Sequence, residues 1–364
     1  MASEGTFILA DIGGYTSFLT GVGIEHAKEI TSHLFNEMLR CNRGRWKLAN
    51  IEGDCMFFYR AGREPAGELM THVQALYENF CDRITDIAGR SACGCGACTR
   101  TNSLRLKFIV HAGEYDTQTI GRREELIGPE VVVAHRLLKN SVTLDEYALL
   151  TREYCGDQPP AGHGTIAGSE HYDDVGDVAY LLVGLAPLRA RWEERRRFFL
   201  TQEDATFRSA GEIHAPPDTV FRAIMDLDSR RRWQTSLKSL DLLQGENGKV
   251  GEVHRCIHSD GSKVVHLAIA IDEEGRRKTE RIWPSRLVKD VYVTWEVRPA
   301  GESSARAIFY IKWKPGIPVV SQAIQPFMMR MIRRSVADDI AGLKAFCEEA
   351  QASAAAGRAE AAGL

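Results

Sequence analysis

The sequence lacks any long hydrophobic run. A helix crossing a bilayer needs roughly 18 or more consecutive apolar residues, and the longest candidate, Val178 to Leu188, is short and broken by Gly184. An excess of charge is missing too: the formal net charge is −3 at pH 7, with no basic surplus to support a general nucleic-acid-binding role. Nine cysteines in 364 residues are too few for a disulfide scaffold. The N-terminus lacks the charged-then-apolar pattern of a secretory signal. These absences set the expectation of a soluble, cytoplasmic protein with reduced thiols. Repeats are absent as well, and the one low-complexity stretch is the Ala-rich end. Residues 351–364 have little to bury and are expected to fray as a flexible tail.

What remains is an ordinary globular composition, 44% hydrophobic and 26% charged, long enough for two or three domains. Thr6-Phe-Ile-Leu-Ala10 reads as a buried strand that stops at Asp11, before the turn Gly13-Gly14-Tyr15-Thr16. Ala27, Ile30, Leu34, Phe35 and Met38 recur at helical spacing. Strands over 46–51 and 55–59 flank the turn Glu52-Gly53-Asp54. A helix over 68–88, a strand over 104–111 and a helix over 130–140 follow, with Pro129 suited to the first turn of the last. The Gly- and Pro-rich stretch 156–169 reads as a loop, and 178–183 as a strand. Residues 188–201, rich in Arg and Glu, read as a solvated helix connecting two domains.

From Thr206 the pattern changes. A strand over 207–213 precedes Pro216-Pro217-Asp218, a helix start. Alternating strands follow near 251–258, 264–272, 278–283, 287–297 and 305–314, separated by the turns Asp260-Gly261, Glu274-Gly275 and Ala300-Gly301. A long helix over about 319–350 closes the domain, with Ile324, Phe327, Met331, Ile340, Leu343 and Cys347 taken as its apolar stripe. This order is α+β. The boundaries expected are 1–187 for the first domain, 188–203 for the connecting helix and 204–350 for the second domain.

Two carboxylates stand out in the first domain. Asp11 ends a strand and Asp54 sits in a hairpin turn; on neighbouring strands they would project from one end of a sheet, a setting that suits Mg²⁺ or Mn²⁺. The segments Phe7-Ile-Leu-Ala-Asp11-Ile-Gly-Gly-Tyr-Thr-Ser17, Ile51-Glu-Gly-Asp-Cys-Met-Phe57, Leu106-Lys-Phe-Ile-Val-His-Ala-Gly-Glu114 and Ile127-Gly-Pro-Glu-Val-Val-Val-Ala-His-Arg136-Leu resemble class III adenylate and guanylate cyclases, in the order found there. The resemblance covers about 6–185, and is nearest to an uncharacterised bacterial branch with a cysteine-rich insertion. It implies a ferredoxin-like α/β fold, a head-to-tail homodimer and nucleoside triphosphate as substrate. It gives Asp11 and Asp54 metal-ligand roles and places Arg136, here a vestige, where an arginine stabilises the transition-state phosphate. Three positions depart from the pattern. Val132 stands where the family has the Asn that orients the ribose. Asn50 stands where adenylate cyclases have a purine-reading Lys, and Glu125 occupies the partner purine-reading position. Positioning supplies much of the rate of a cyclisation, and loss of one preorganised donor lowers rate about a hundredfold to a thousandfold. Impaired catalysis is therefore expected.

Cys93, Cys95 and Cys98 form a C-x-C-x-x-C segment in which three sulfurs can converge, with Zn²⁺ the metal such a set would take. Cys81, Cys41, His72 or a partner-chain residue would complete it. An iron–sulfur cluster, which would also need a fourth ligand, ranks below zinc, and the remaining alternative is three reduced thiols in a flexible loop.

In the second domain, Ala215-Pro-Pro-Asp-Thr-Val-Phe221, the 226–233 segment, the strands and the closing helix resemble the START-like helix-grip superfamily, in its polyketide cyclase/dehydrase-like branch. The resemblance implies a curved sheet wrapped round the last helix, leaving a cavity for an apolar small molecule such as a lipid or polyketide. Trp295, Trp313, Phe327, Met328 and Met331 are its expected lining. His254, His258, His266 and Arg281 are candidate polar groups whose direction strand parity leaves open. The expectation is a degenerate cyclase-like domain coupled to a ligand-binding domain in a sensory or regulatory protein. Two alternatives stand beside it: an active class III cyclase using Asp11, Asp54 and Arg136, and a polyketide cyclase or aromatase acting in the second domain.

Overall fold

Phe7, Ile8, Leu9 and Ala10 are all fully buried in β1 (Ser3–Gly13), and their alternation divides them between two cores. Ile8, Ala10 and Ile12 pack with α2 (Ile24–Asn42) and α3 (Ala66–Arg90), while Phe7 and Leu9 point to the opposite face. The computed structural model describes residues 2–90, 100–156, 158–283, 288–301, 303–315 and 318–362. These separate into two compact units, with the change of unit falling between Glu194 and Arg195.

In the first unit β1 lies between β3 (Cys55–Ala61) and β4 (Arg105–Ile120), both antiparallel to it. The sheet order is β2 (Lys47–Glu52), β3, β1, β4, β6 (Tyr147–Thr151), β8 (Gly176–Gly184), β7 (Thr165–Tyr172), with β5 (Arg123–Ile127) paired to the far half of β4. The β4-β1-β3-β2 portion, joined through α2 and α3, is the ferredoxin-like core. A short α1 (Tyr15–Thr20) follows β1. The helix expected over 130–140 is α4 (Pro129–Arg136) and stops four residues early. Buried His111 of β4 holds it through Glu130 Oε2 at 2.6 Å, and its other ring nitrogen meets Thr151 Oγ1 at the end of β6 at 2.8 Å. A single turn, α5 (Arg152–Cys155), follows β6.

The connecting helix needs correction. Only Ala186–Arg195 is helical, as α6, and it is no solvated rod. Leu188 is buried in the first unit's core, Trp192 packs on that core, and Arg189 reaches Glu146 Oε1 at 2.6 Å and Oε2 at 2.8 Å. The chain is then non-helical, because Phe198 and Leu200 cover a sheet face in the second unit, against Ile308, Tyr310 and Tyr292.

The second unit is a seven-stranded antiparallel sheet in the order β10 (Leu237–Gln244), β11 (Val253–His258), β12 (Lys263–Asp272), β13 (Arg277–Trp283), β14 (Val288–Gly301), β15 (Ser304–Pro315), β9 (Phe207–Ile213). Short helices α7 (Pro217–Met225) and α8 (Leu227–Trp233) lie between β9 and β10, and α9 (Pro318–Ala362) closes the chain. The sheet grips α9: Val293, Trp295, Val297, Ala307 and Phe309 share a core with Val336, Ile340, Leu343 and Cys347. A bulge between Ala268 and Ala270 breaks the alternation expected of β12. Ile271 therefore packs on this core although Val265, on the same parity, does not. α9 runs on through the Ala-rich stretch to Ala362, consistent with alanine's high helix propensity.

The phase of α9 also differs from expectation. Met331 and Ile340 are nine residues apart, which at about 100° per residue places them half a turn from each other. Ile340 is buried, while Met331 is 57% and Phe327 73% exposed. The inward line runs through Met328, Ile332 and Val336 instead.

Gly342 marks where α9 meets α8. A Cβ there would sit 2.0 Å from the Trp233 carbonyl oxygen. Helix propensity alone favours alanine by about 1 kcal/mol, but overlap with backbone is the larger effect. Gly342→Ala is expected to destabilise by about 1–3 kcal/mol in urea unfolding, and a stabilised variant would contradict this packing.

Candidate functional site

Strand register gathers a polar cluster on the inner face of the second unit. His254 on β11 is directly opposite His266 on β12, and the rings stack at 4.7 Å with 10° between planes. On β13, Lys278 and Glu280 stand opposite Trp295 and Val293 of the apolar core, so they share its face. Glu252 precedes β11, and Arg230 reaches in from α8. All six are buried.

Glu280 is the hub. It accepts from Arg230 Nη1 at 3.1 Å on both oxygens and from His266 Nδ1 at 2.8 Å, with Lys278 Nζ at 2.9 Å. Burial opposes its charge, yet Arg230, Lys278 and His266 hold the carboxyl well below the usual carboxylate range. Lys278 also lies 3.4 Å from Glu252 Oε1, which takes His254 Nδ1 at 2.9 Å. Arg230 Nε donates to Gln234 Oε1, and Gln234 donates to Asp339 of α9 at 3.0 Å. Two cations thus face two carboxylates, and both histidines are kept neutral by burial, His266 down to about 3. Burial raises Asp339 to about 6 and the Cys256 thiol to about 11.

These shifts give the unit a pH dependence. Below the ordinary histidine value of about 6.5, the unfolded chain takes up protons that folded His254 and His266 refuse, so stability falls with pH. At pH 5 His266 alone accounts for about 2 kcal/mol of that loss. Asp339 acts oppositely: its raised value adds stability as pH falls through 6, by about 1 kcal/mol at pH 5. Urea unfolding at pH 7 and pH 5 should show a net loss at the lower pH that shrinks in His266→Gln. Equal stability of the wild type at both would contradict it.

In the first unit, β1 and the β2–β3 turn bring Asp11 and Asp54 together: Ile12 N–H donates to the Asp54 carbonyl at 3.2 Å. Burial first, and then the Asp11 charge, push the Asp54 carboxyl up. Lys107, opposite Asp11 on β4, places its Nζ 3.1 Å from Asp11 Oδ2. Arg136 is turned onto Asp174, both half exposed. Val132 is 49% exposed one turn earlier. Asn50 lies on edge strand β2 and donates to Glu52 Oε1 at 3.1 Å. Glu125 is exposed on β5, opposite Gln118.

A divalent metal at Asp11 and Asp54 would share its first carboxylate with an ammonium group. Two carboxylates with one lysine carry a net charge of −1, a weak donor set for Mg²⁺ or Mn²⁺. Cys93, Cys95 and Cys98 lie outside the described residues. Of the residues suggested to join them, Cys81 and His72 are buried within α3, and Cys41 accepts from Asn79 Nδ2 at 3.2 Å. His72 stacks on Trp46 at 5.9 Å, with burial lowering it to about 4.

Residues 204–348 match the family described as polyketide cyclase/dehydrase and lipid transport. Residues 31–147 match a family described as a protein of unknown function (DUF2652). An uncharacterized protein of Mycobacterium tuberculosis is 34% identical over 105 residues, 29% of this chain and 50% of that protein, so the chain spans about half the length of this curated relative. Among solved structures, the guanylyl cyclase Cya2 is 14% identical with a TM-score of 0.41, covering 50% of this chain and 92% of that one. The Zhui aromatase/cyclase from Streptomyces sp. R1128 is 11% identical with a TM-score of 0.35, covering 39% and 92%.

Within the second unit the expected ligand lining is divided. Trp295 is 3% exposed, wedged between Trp233 and Phe309 as core. Trp313 and Met328 are partly buried against that core, and Phe327 and Met331 face outward. Of the candidate polar groups, His254 and His266 point inward. Arg281 alternates to the other face, 4.8 Å from the Trp283 ring, and His258 meets Ser236 Oγ at 3.2 Å. Sequence reasoning missed Arg230, Glu252, Lys278, Glu280 and Lys107. Lys278 and Glu280 lie among Arg277, Thr279 and Arg281 in a polar stretch of β13, so only the register opposite Trp295 and Val293 reveals their inward face.

Proposed function

We propose that this protein couples a domain that binds an apolar small molecule to a nucleotide-cyclase-like unit whose catalysis is impaired, acting as a cytoplasmic homodimer in a sensory or regulatory role. The observation that carries the impaired reading is Lys107 Nζ at 3.1 Å from Asp11 Oδ2. A cation already sits on the carboxylate that the class III resemblance assigns to metal. Val132 offers no polar group for a ribose, and Arg136 is engaged by Asp174. Any nucleoside triphosphate would then be held without being cyclised. For the second domain, the family match supports an apolar ligand, and the inward-facing Arg230, His254, His266 and Glu280 would receive its polar end.

Native mass spectrometry of the full-length protein as purified tests this reading. The expected spectrum is a dimer carrying a co-purified apolar molecule that is lost on denaturation. A monomer without added mass, taking up no fatty acid or aromatic polyketide offered to it, would contradict the reading. A second reading, an acid–base enzyme in the same domain, is favoured by the His266–Glu280 pair, because His266 Nε2 has no partner among the described residues. In that case the offered molecule is recovered chemically altered, and His266→Gln retains binding while losing the conversion.

A further inference from the structure

We propose that His254, Cys256 and His266 form a binding site for a thiophilic metal ion, Zn²⁺ in the first instance, on the inner face of the sheet. Cys256 follows His254 by two residues on β11, so the two share a face, and His266 is the cross-strand partner of His254. One ligand atom from each of the three lies within 4.8 Å of the others, and all three residues are buried.

The hydrogen bonds around the rings favour this use. Each histidine has its Nδ1 on a carboxylate, Glu252 at 2.9 Å for His254 and Glu280 at 2.8 Å for His266. A carboxylate on Nδ1 fixes the proton there and turns a lone pair outward on Nε2, the usual support of a metal-bound imidazole. The Cys256 sulfur makes no hydrogen bond among the described residues. Glu252 and Glu280 are the less suitable donors, because their oxygens are already committed to His254, Lys278, Arg230 and His266.

Arg230 is the competitor. Its Nη1 lies 3.3 Å from His254 Nε2, a longer contact than those with Gln234 at 3.0 Å and Glu280 at 3.1 Å. The same Nη1 donates to both Glu280 oxygens, so a metal on His254 Nε2 would take its place there, while the Nε bond to Gln234 holds the side chain and Lys278 and His266 remain on Glu280. Charge is compatible: Arg230 and Lys278 balance Glu252 and Glu280, and ionised Asp339 leaves a net −1. Zn²⁺ with one thiolate adds +1. Mixed imidazole and thiolate donors suit Zn²⁺, and three protein donors leave one position open to an outside group.

The test uses the full-length protein with Cys93, Cys95 and Cys98 changed to Ser, stripped by chelator and loaded anaerobically with Co²⁺ or Zn²⁺. The expected result is one metal equivalent retained through desalting, with a thiolate-to-cobalt charge-transfer band. Adding Cys256→Ser should abolish the band, and His266→Gln should weaken binding at least about tenfold. Far-UV circular dichroism of the metal-free variants checks that they fold. Should Cys256→Ser fail to fold, the parent spectrum and His266→Gln decide. A parent without the band, or a band and affinity untouched by His266→Gln, would overturn the site.

Discussion

Glu280→Ala is expected to lower the stability of the second unit by about 3–5 kcal/mol in urea unfolding, one of the largest effects available to a single substitution here. The carboxylate is the shared acceptor of Arg230, Lys278 and His266. Removing it takes away the carboxylate paired with Arg230 and leaves Lys278 with Glu252 at 3.4 Å. Glu280→Gln keeps the volume but not the charge, and should also destabilise, by less. By contrast, Asp228→Ala breaks only a surface pair with Arg231, 2.7 Å long and mostly exposed, and should move stability by under about 1 kcal/mol. A Glu280→Ala loss as small as that would mean the network is hydrated and contributes little. Buried ion networks of this kind are rarely worth more than the apolar residues that could replace them. Its persistence in an otherwise apolar interior is the physical reason to read it as a site.

The second large effect concerns Lys107. Lys107→Ala is expected to tighten Mn²⁺ binding to the first unit by about tenfold or more, read as free Mn²⁺ by electron paramagnetic resonance. A unit charge a few ångströms from the metal, even at an effective dielectric constant near 20, opposes it by several kcal/mol before relaxation. Val132→Asn alone should leave nucleotide turnover at background, because an oriented ribose gains nothing without the metal. The double variant should exceed either single one, since each restores a different requirement of the cyclisation. Unchanged or weaker Mn²⁺ binding by Lys107→Ala would remove the lysine from the account.

Much of the architecture was legible because apolar periodicity is a strong signal where burial is complete. The runs in β1, β3 and β14 and the turns between the late strands gave their elements directly. The edge elements β5, β7 and β10 were missed, since exposed strands carry little alternation and Gly-rich flanks read as loop, and so was the buried central strand β6, whose five residues are too short a run to stand out. The error over Met331 was one of phase: a 45-residue helix touches the sheet over only part of its length, and the apolar residues beyond that contact need not keep its line. Asp11 and Asp54 were found because each sits at a strand end or turn with a reason to be acidic. Lys107 was not, because only the β1–β4 register places it opposite Asp11. The same holds for Glu252 and Glu280: their meaning comes from cross-strand neighbours, which one strand's sequence does not contain.

The central claim, a silent catalyst in the first unit, is tested most directly by incubating the purified full-length protein with Mn²⁺ and ATP or GTP. Product is followed by chromatography against authentic 3′,5′-cyclic nucleotides. The account predicts no product above the protein-free background. Sustained formation of cyclic AMP or cyclic GMP, abolished by Asp54→Ala, would contradict it.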